Sequence, residues 1–199
     1  MAVRVLGIDP GLTRCGLGVV DGPTGAPTAV AAEVARTDPH AAIEQRLMLL
    51  HRLVAEALER HRPDVVACER VLFSANARTA MGVGQAAGVA LLAAAEAGIP
   101  VASYSPNEVK LSIAGDGAAT KDAVARMVAA QLRLTSVPGP PDVADALAVA
   151  LCHLSRAGLS AASPPDAQPP RSSPSWEQVL RERPHLRQVG GTAGPAVAG

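Results

Sequence analysis

Four carboxylates stand apart from the rest of the acidic residues in this 199-residue chain. Asp9 closes the apolar run Val3-Arg-Val-Leu-Gly-Ile8 at the turn signal Asp9-Pro10-Gly11. Glu69 closes a second run, Val65-Val-Ala-Cys68, and Arg70 follows it. Asp142 and Asp145 stand three apart in Pro141-Asp-Val-Ala-Asp-Ala-Leu-Ala148, a spacing that puts both on one face of a helix. The carboxyl ends of central strands are where α/β sheets hold their sites. A carboxylate ending a buried strand costs free energy unless something neutralises it. Four carboxylates drawn together repel one another, and hard oxygen ligands without His or Cys select Mg2+ or Mn2+. Two such ions about 4 Å apart activate a water and stabilise the leaving oxygen in the in-line displacement of a phosphodiester. Taken singly, the residues have blander roles: Asp9 as a turn residue, Asp142 as a helix cap or a charge at a helix N-terminus.

The chemistry requires that the strand ends and the last helix converge. Short strands are expected at Val3–Ile8, Cys15–Val20 and Ala29–Ala35, and the brief turns between them imply an antiparallel meander. Asp38-Pro39 reads as an N-cap and first helical residue, ahead of the stripe Ile43, Leu47, Leu50, Val54 and Leu58. A buried strand follows at Asp64–Cys68. An Ala-rich helix runs from Asn76 to Ala97 and stops at Gly98. Val101–Tyr104 makes a fifth strand. Helices are expected at Pro106–Ile113, Thr120–Leu134 with Thr120 as cap, and Asp142–Arg156. The order defines an α/β fold, a five-stranded mixed sheet flanked by helices.

Composition narrows the classes. Hydrophobic residues make up 48% of the chain, enough for a sizeable core. Eighteen basic residues balance eighteen acidic ones, so no bulk charge attracts nucleic acid, although a local basic stripe suffices. Cys15, Cys68 and Cys152 are odd in number and widely spaced, which suggests neither a disulfide framework nor a zinc site. The start of the chain lacks the apolar core of a signal peptide. The longest uncharged apolar run, Ala86–Ala95, is short of a membrane span, so a soluble cytoplasmic protein without a membrane role is expected. After Gly158 the composition turns to Pro, Ser, Ala and Gly. The expected division is a working domain over 1–157 and a disordered tail over 158–199.

Five blocks stand in order along the chain: Gly7-Ile-Asp-Pro-Gly11; Val66-Ala-Cys-Glu-Arg-Val71; Asn76-Ala-Arg-Thr-Ala80 with Gly84-Gln-Ala-Ala-Gly-Val89; Asn107-Glu-Val-Lys110 with Gly115; and Asp142-Val-Ala-Asp-Ala-Leu-Ala148. Together they resemble the RuvC family of bacterial crossover junction endodeoxyribonucleases. The resemblance, spanning about Val3 to Leu154, implies a ribonuclease-H-like fold and a homodimer. It also implies paired Mg2+-dependent nicks in four-way DNA junctions, leaving 5′-phosphate and 3′-hydroxyl ends. Asp9, Glu69, Asp142 and Asp145 then become metal-binding catalytic carboxylates holding two Mg2+ per subunit, with Mn2+ as a substitute. Lys110 and Lys121 match lysines that approach the DNA backbone, with Lys121 stabilising developing charge. Asn76 and Arg78 join the DNA-binding set. The RuvA–RuvB branch-migration complex is the implied partner.

One departure concerns the residue after Glu-x-Val, where the family typically places a Phe that stacks on junction bases. Leu72 holds that slot and Phe73 follows, so either Phe73 stacks or Leu72 acts as an apolar wedge. Base–aromatic stacking is worth about 1–3 kcal/mol and tolerates many sequences, so the change bears on cleavage preference. The helix carrying Gly82, Gly84 and Gly88 is the candidate dimer interface, with close packing on its own sheet as the alternative. Two rival readings fit less well. ATP-binding proteins of the sugar-kinase and actin type also open with a strand ending Asp-x-Gly, but they use a second domain and a second phosphate loop, and Gly82-Val-Gly84 falls inside a helix pattern. A non-catalytic DNA-binding descendant would be favoured had Asp9, Glu69 or Asp142 been replaced.

Overall fold

Alternation gives the first strand, β1 (Val3–Asp9), one face of Val3, Val5, Gly7 and Asp9 and another of Arg4, Leu6 and Ile8. The computed structural model describes residues 2–23, 25–70, 77–162 and 181. The fold below belongs to the unit Met1–Ala162. β1 pairs antiparallel with β2 (Arg14–Gly22), which pairs antiparallel with β3 (Thr28–Arg36). On its other edge β1 pairs parallel with β4 (Val65–Glu69), and β4 with β5 (Val101–Tyr104). The order β3-β2-β1-β4-β5 is the five-stranded mixed sheet expected from the sequence.

Two apolar cores lie on opposite faces. Leu6, Ile8, Leu17 and Val66 pack under α1 (Ile43–His61) and α2 (Ala77–Glu96), through Leu50, Val54, Ala86, Ala90 and Ala94. Val5, Val20, Val65 and Ala67 pack under α3 (Pro106–Ala114), α4 (Lys121–Gln131) and α5 (Pro141–Ala162), through Val109, Val124, Val128, Leu147 and Leu151. Cys15, Cys68 and Cys152 are buried free thiols, and burial pushes Cys15 and Cys68 up to about 12.

The second core depends on residues without side chains. A Cβ on Gly7 would lie 2.0 Å from the Ala146 carbonyl oxygen, and one on Gly16 would lie 2.0 Å from that of Asp142. These two glycines let the first turns of α5 rest backbone-on-backbone against β1 and β2.

Element ends depart from expectation in three places. Helix α1 starts after Ala42, which has no side-chain cap, because the Asp38 carboxylate instead accepts from the His40 N–H (2.9 Å) in a separate turn. Helix α4 stops at Gln131, where Arg133 turns left-handed (φ 53°) and Leu134 N–H donates to Ala129 O (2.8 Å), closing the helix early. Helix α5 continues to Ala162. The window Thr79–Glu96 of α2 is long and apolar enough, by length and composition, to cross a membrane, although the sequence led us to expect no such run. Its buried Ala86, Ala90, Ala93 and Ala94 belong to the core with α1.

Candidate active site

Strand parity decides the site. Asp9 shares the face of Val5 and Gly7, and Glu69 shares that of Val65 and Ala67, so both carboxylates point to the α3–α5 layer. The parallel register pairs Ile8 with Cys68, so Asp9 and Glu69 follow side by side at the ends of central strands. Close packing of α5 on Gly7 and Gly16 brings Asp145 over those ends. Helix α4 is capped by Thr120, whose hydroxyl accepts from Ala123 N–H (3.2 Å), and its first residue, Lys121, donates from Nζ to Asp145 Oδ2 (2.8 Å). Helix α3 is held by a reciprocal cap. Ser105 Oγ accepts from Glu108 N–H while the Glu108 carboxylate accepts from Ser105 N–H (2.9 Å), which fixes the turn presenting Lys110. One cavity is lined by Asp9, Glu69, Lys110, Lys121 and Asp145, with Pro106, Val109, Val124 and Ala148 as its apolar wall.

Its electrostatics are those of a site short of positive charge. Asp9 is pushed up to about 7, chiefly by burial and then by Glu69 and Asp145, with Lys121 opposing. Burial also raises Glu69, aided by Asp145. Lys121 is raised in turn by its bond to Asp145. Clustered oxygen donors whose charges are this poorly tolerated suit a hard divalent cation. As the side chains stand, no three acidic, His or Cys groups among the described residues are gathered tightly enough to ligate one ion. Two of the four carboxylates are already paired with cations: Lys121 holds Asp145, and Arg14 holds Asp142.

The structure thus separates two residues that spacing placed together. Asp145 lines the cavity. Asp142 sits in the same turn of α5 and contributes to raising Asp9, yet its Oδ2 accepts from Arg14 Nε (2.9 Å) and Nη2 at the start of β2. Arg70 does not pair with Glu69; its Nη2 donates to Ser103 O (3.2 Å) and lies 3.9 Å from Glu108 Oε2. Leu72, Phe73 and Asn76 lie outside the described residues, and Arg78 falls in the first turn of α2. Arg14 is the residue sequence reasoning missed. Parity could have found it, because Arg14, Gly16 and Gly18 share one face of β2 and Gly-x-Gly marks the close approach of another backbone. Also missed was the hydrogen bond between Tyr104 Oη and His153 Nδ1 (2.8 Å), which ties β5 to α5, with Arg156 over the Tyr104 ring.

A five-stranded mixed sheet of this order, flanked by helices and with carboxylates at the ends of β1 and β4 and on the last helix, is of the ribonuclease-H-like fold class. The profile of the family described as crossover junction endodeoxyribonuclease RuvC matches residues 5–153. The chain is 54% identical over 157 residues to the crossover junction endodeoxyribonuclease RuvC of Salinispora arenicola, covering 78% of this chain and 90% of that one. It is 52% identical over 159 residues to that of Paenarthrobacter aurescens, covering 79% and 84%. Among solved structures, T. thermophilus RuvC in complex with Holliday junction substrate is similar at a TM-score of 0.76 and 42% identity, over 79% of this chain and 96% of that one. The yeast mitochondrial Holliday junction resolvase Ydc2 shares the fold at a TM-score of 0.59 and 16% identity, over 80% and 82%. The chain belongs to the crossover junction endodeoxyribonuclease RuvC family and is a nuclease of that family.

Proposed function

We propose that this protein resolves Holliday junctions in recombination and DNA repair, by paired, symmetric, Mg2+-dependent nicks that leave 5′-phosphate and 3′-hydroxyl ends. The observation that carries this reading is the meeting of Asp9, Glu69, Asp145 and Lys121 at one cavity. Asp9, Glu69, Asp142 and Asp145 would hold two Mg2+ ions per subunit, with Mn2+ as a substitute. The ions supply activation of the attacking water and stabilisation of the leaving oxygen. The chain's own groups do the rest. The wall of Val109 and Val124 lowers the local dielectric and strengthens every charge interaction on the scissile phosphate. Lys121, once released from Asp145, offsets charge developing on the phosphoryl oxygens, and Lys110 steadies the neighbouring backbone. By the family resemblance, Asn76 and Arg78 contact the junction, and either Phe73 stacks on its bases or Leu72 acts as an apolar wedge. Residues 1–157 carry the activity.

Two symmetric cuts call for a two-fold enzyme, and α2 supplies a surface for one. Met81, Gly84, Gln85, Gly88, Leu91, Leu92 and Ala95 are exposed and uncharged along this helix. A Cβ added at Gly84 or Gly88 would meet nothing within 4 Å, so these two glycines do not serve packing on the protein's own sheet. We assign this face to the homodimer, the RuvA–RuvB complex to a separate surface, and the cytoplasm as the place of action. A titration of junction nicking with Mg2+ and Mn2+ against an EDTA control tests the metal requirement; nicking that persists in EDTA contradicts it.

A further inference from the structure

We propose that Arg14 couples divalent-cation binding to DNA binding: it neutralises Asp142 in the metal-free protein and passes to a DNA phosphate when a cation takes that carboxylate. The inference rests on the metal-dependent reading above and adds a residue to it. Two guanidinium nitrogens of Arg14, Nε and Nη2, converge on the single oxygen Asp142 Oδ2. A guanidinium and a divalent cation that need the same oxygen compete for it. The pair is open enough to exchange, since the Arg14 side chain is 40% exposed and that of Asp142 is 22% exposed. The contact is therefore not sealed in the core, and Arg14 has solvent to move into.

What Arg14 would move toward is also on the surface. In the β2–β3 register Arg14 stands directly opposite Arg36, a like-charge pairing that only a nearby anion makes comfortable. Beside them, Arg46 donates from Nη2 to Thr13 Oγ1 (2.7 Å) and from Nε to Thr37 Oγ1 (3.0 Å), holding a third guanidinium against the loop that precedes Arg14. Among the described residues neither Arg36 nor Arg46 forms an ion pair. With Asp142 occupied by a cation, the three arginines form an edge suited to a phosphate backbone, one α5 turn from the carboxylate cavity. With Asp142 unoccupied, Arg14 is spent on it and the edge holds two free cations. Cation and DNA then favour each other's binding, and linkage makes the effect reciprocal.

Two measurements on the full-length protein test this, neither of them a cleavage assay. First, Mn2+ binding is measured by calorimetry without DNA for wild type, Arg14→Gln and Arg14→Lys, each checked by thermal melt to be folded. Removing the competitor tightens Mn2+ binding in Arg14→Gln by about two- to fivefold, the span of a partly exposed ion pair, with Arg14→Lys between the two. Second, the salt dependence of binding to a four-way junction is measured with Ca2+ and with EDTA. Arg14→Gln lowers the log–log slope by about one in Ca2+ and leaves it unchanged in EDTA. Equal Mn2+ affinity in wild type and Arg14→Gln, or an equal slope change in Ca2+ and EDTA, overturns the coupling while leaving the metal reading intact. A wild-type chain that binds no Mn2+ removes both.

Discussion

Gly7 meets the carbonyl of Ala146 so closely that a single added Cβ would stand 2.0 Å from its oxygen. Gly7 lies two residues before Asp9, and Ala146 directly follows Asp145. The absent side chain thus sets the separation between two of the carboxylates in the cavity. Gly7→Ala is expected to push α5 off the sheet. Overpacking of this kind costs about 1–3 kcal/mol or more, which for a chain of this size lowers Tm by roughly 2–12 °C. A thermal melt checks it, and an unchanged Tm would mean that α5 has slack the geometry does not suggest.

Metal-free stability should fall with pH. Burial raises Asp9 to about 7 and raises Glu69 as well. Between the ordinary carboxylate range and pH 7 the folded protein therefore binds protons that the unfolded chain has released, so stability drops as pH rises and levels off above 7. His153 works the other way below 6.5, since burial lowers its pKa and the unfolded chain holds the extra proton there. The difference in Tm between wild type and Asp9→Asn, followed from pH 5 to 8 in EDTA, isolates the carboxylate. The variant should gain on wild type steadily up to about pH 7. A difference that stays flat with pH would mean Asp9 is not strained.

Asp9→Asn should also separate binding from cutting. Phosphate contacts carry most of the binding free energy, whereas the role we propose for the Asp9 carboxylate is in the reaction. Junction affinity by gel shift is expected to stay within about threefold of wild type, roughly 0.6 kcal/mol. Cleavage is expected to fall by at least about a thousandfold, or roughly 4 kcal/mol in the barrier. Loss of binding at matched stability would contradict the role given to Asp9.

Gly88→Arg probes the proposed dimer without touching the core, because a Cβ at Gly88 meets nothing within 4 Å. The variant should fold with an unchanged Tm at low concentration and sediment as a monomer, with paired nicks reduced to single ones. A variant that remains dimeric places the two-fold contact elsewhere.

Much of this was legible because two periodicities carried it. The strands ending in Asp9 and Glu69 announced themselves as apolar runs closed by carboxylates, and parity then put both on one face. Of the stripe Ile43, Leu47, Leu50, Val54 and Leu58, the last three form the buried face of α1, whereas Leu47 is half-buried and Ile43, in the first turn, is exposed. The helix starts were less legible. Asp38 looks like a cap but bonds His40 locally, and α1 begins later without one. Spacing also could not separate Asp142 from Asp145, since residues three apart on a helix share a face but not their partners. Lys121 and Arg14 divide them from opposite sides, and both partners come from other elements. Arg14 stayed hidden because its meaning depends on which face of β2 meets α5.

Nicking of a synthetic mobile four-way junction, mapped on a denaturing gel beside a linear duplex of the same sequence, decides whether the cavity performs resolution. Paired nicks at symmetric positions in Mg2+, absent in EDTA and absent from the duplex, are the expected result. Equal cutting of the linear duplex would contradict it and make the protein a nuclease without preference for the junction.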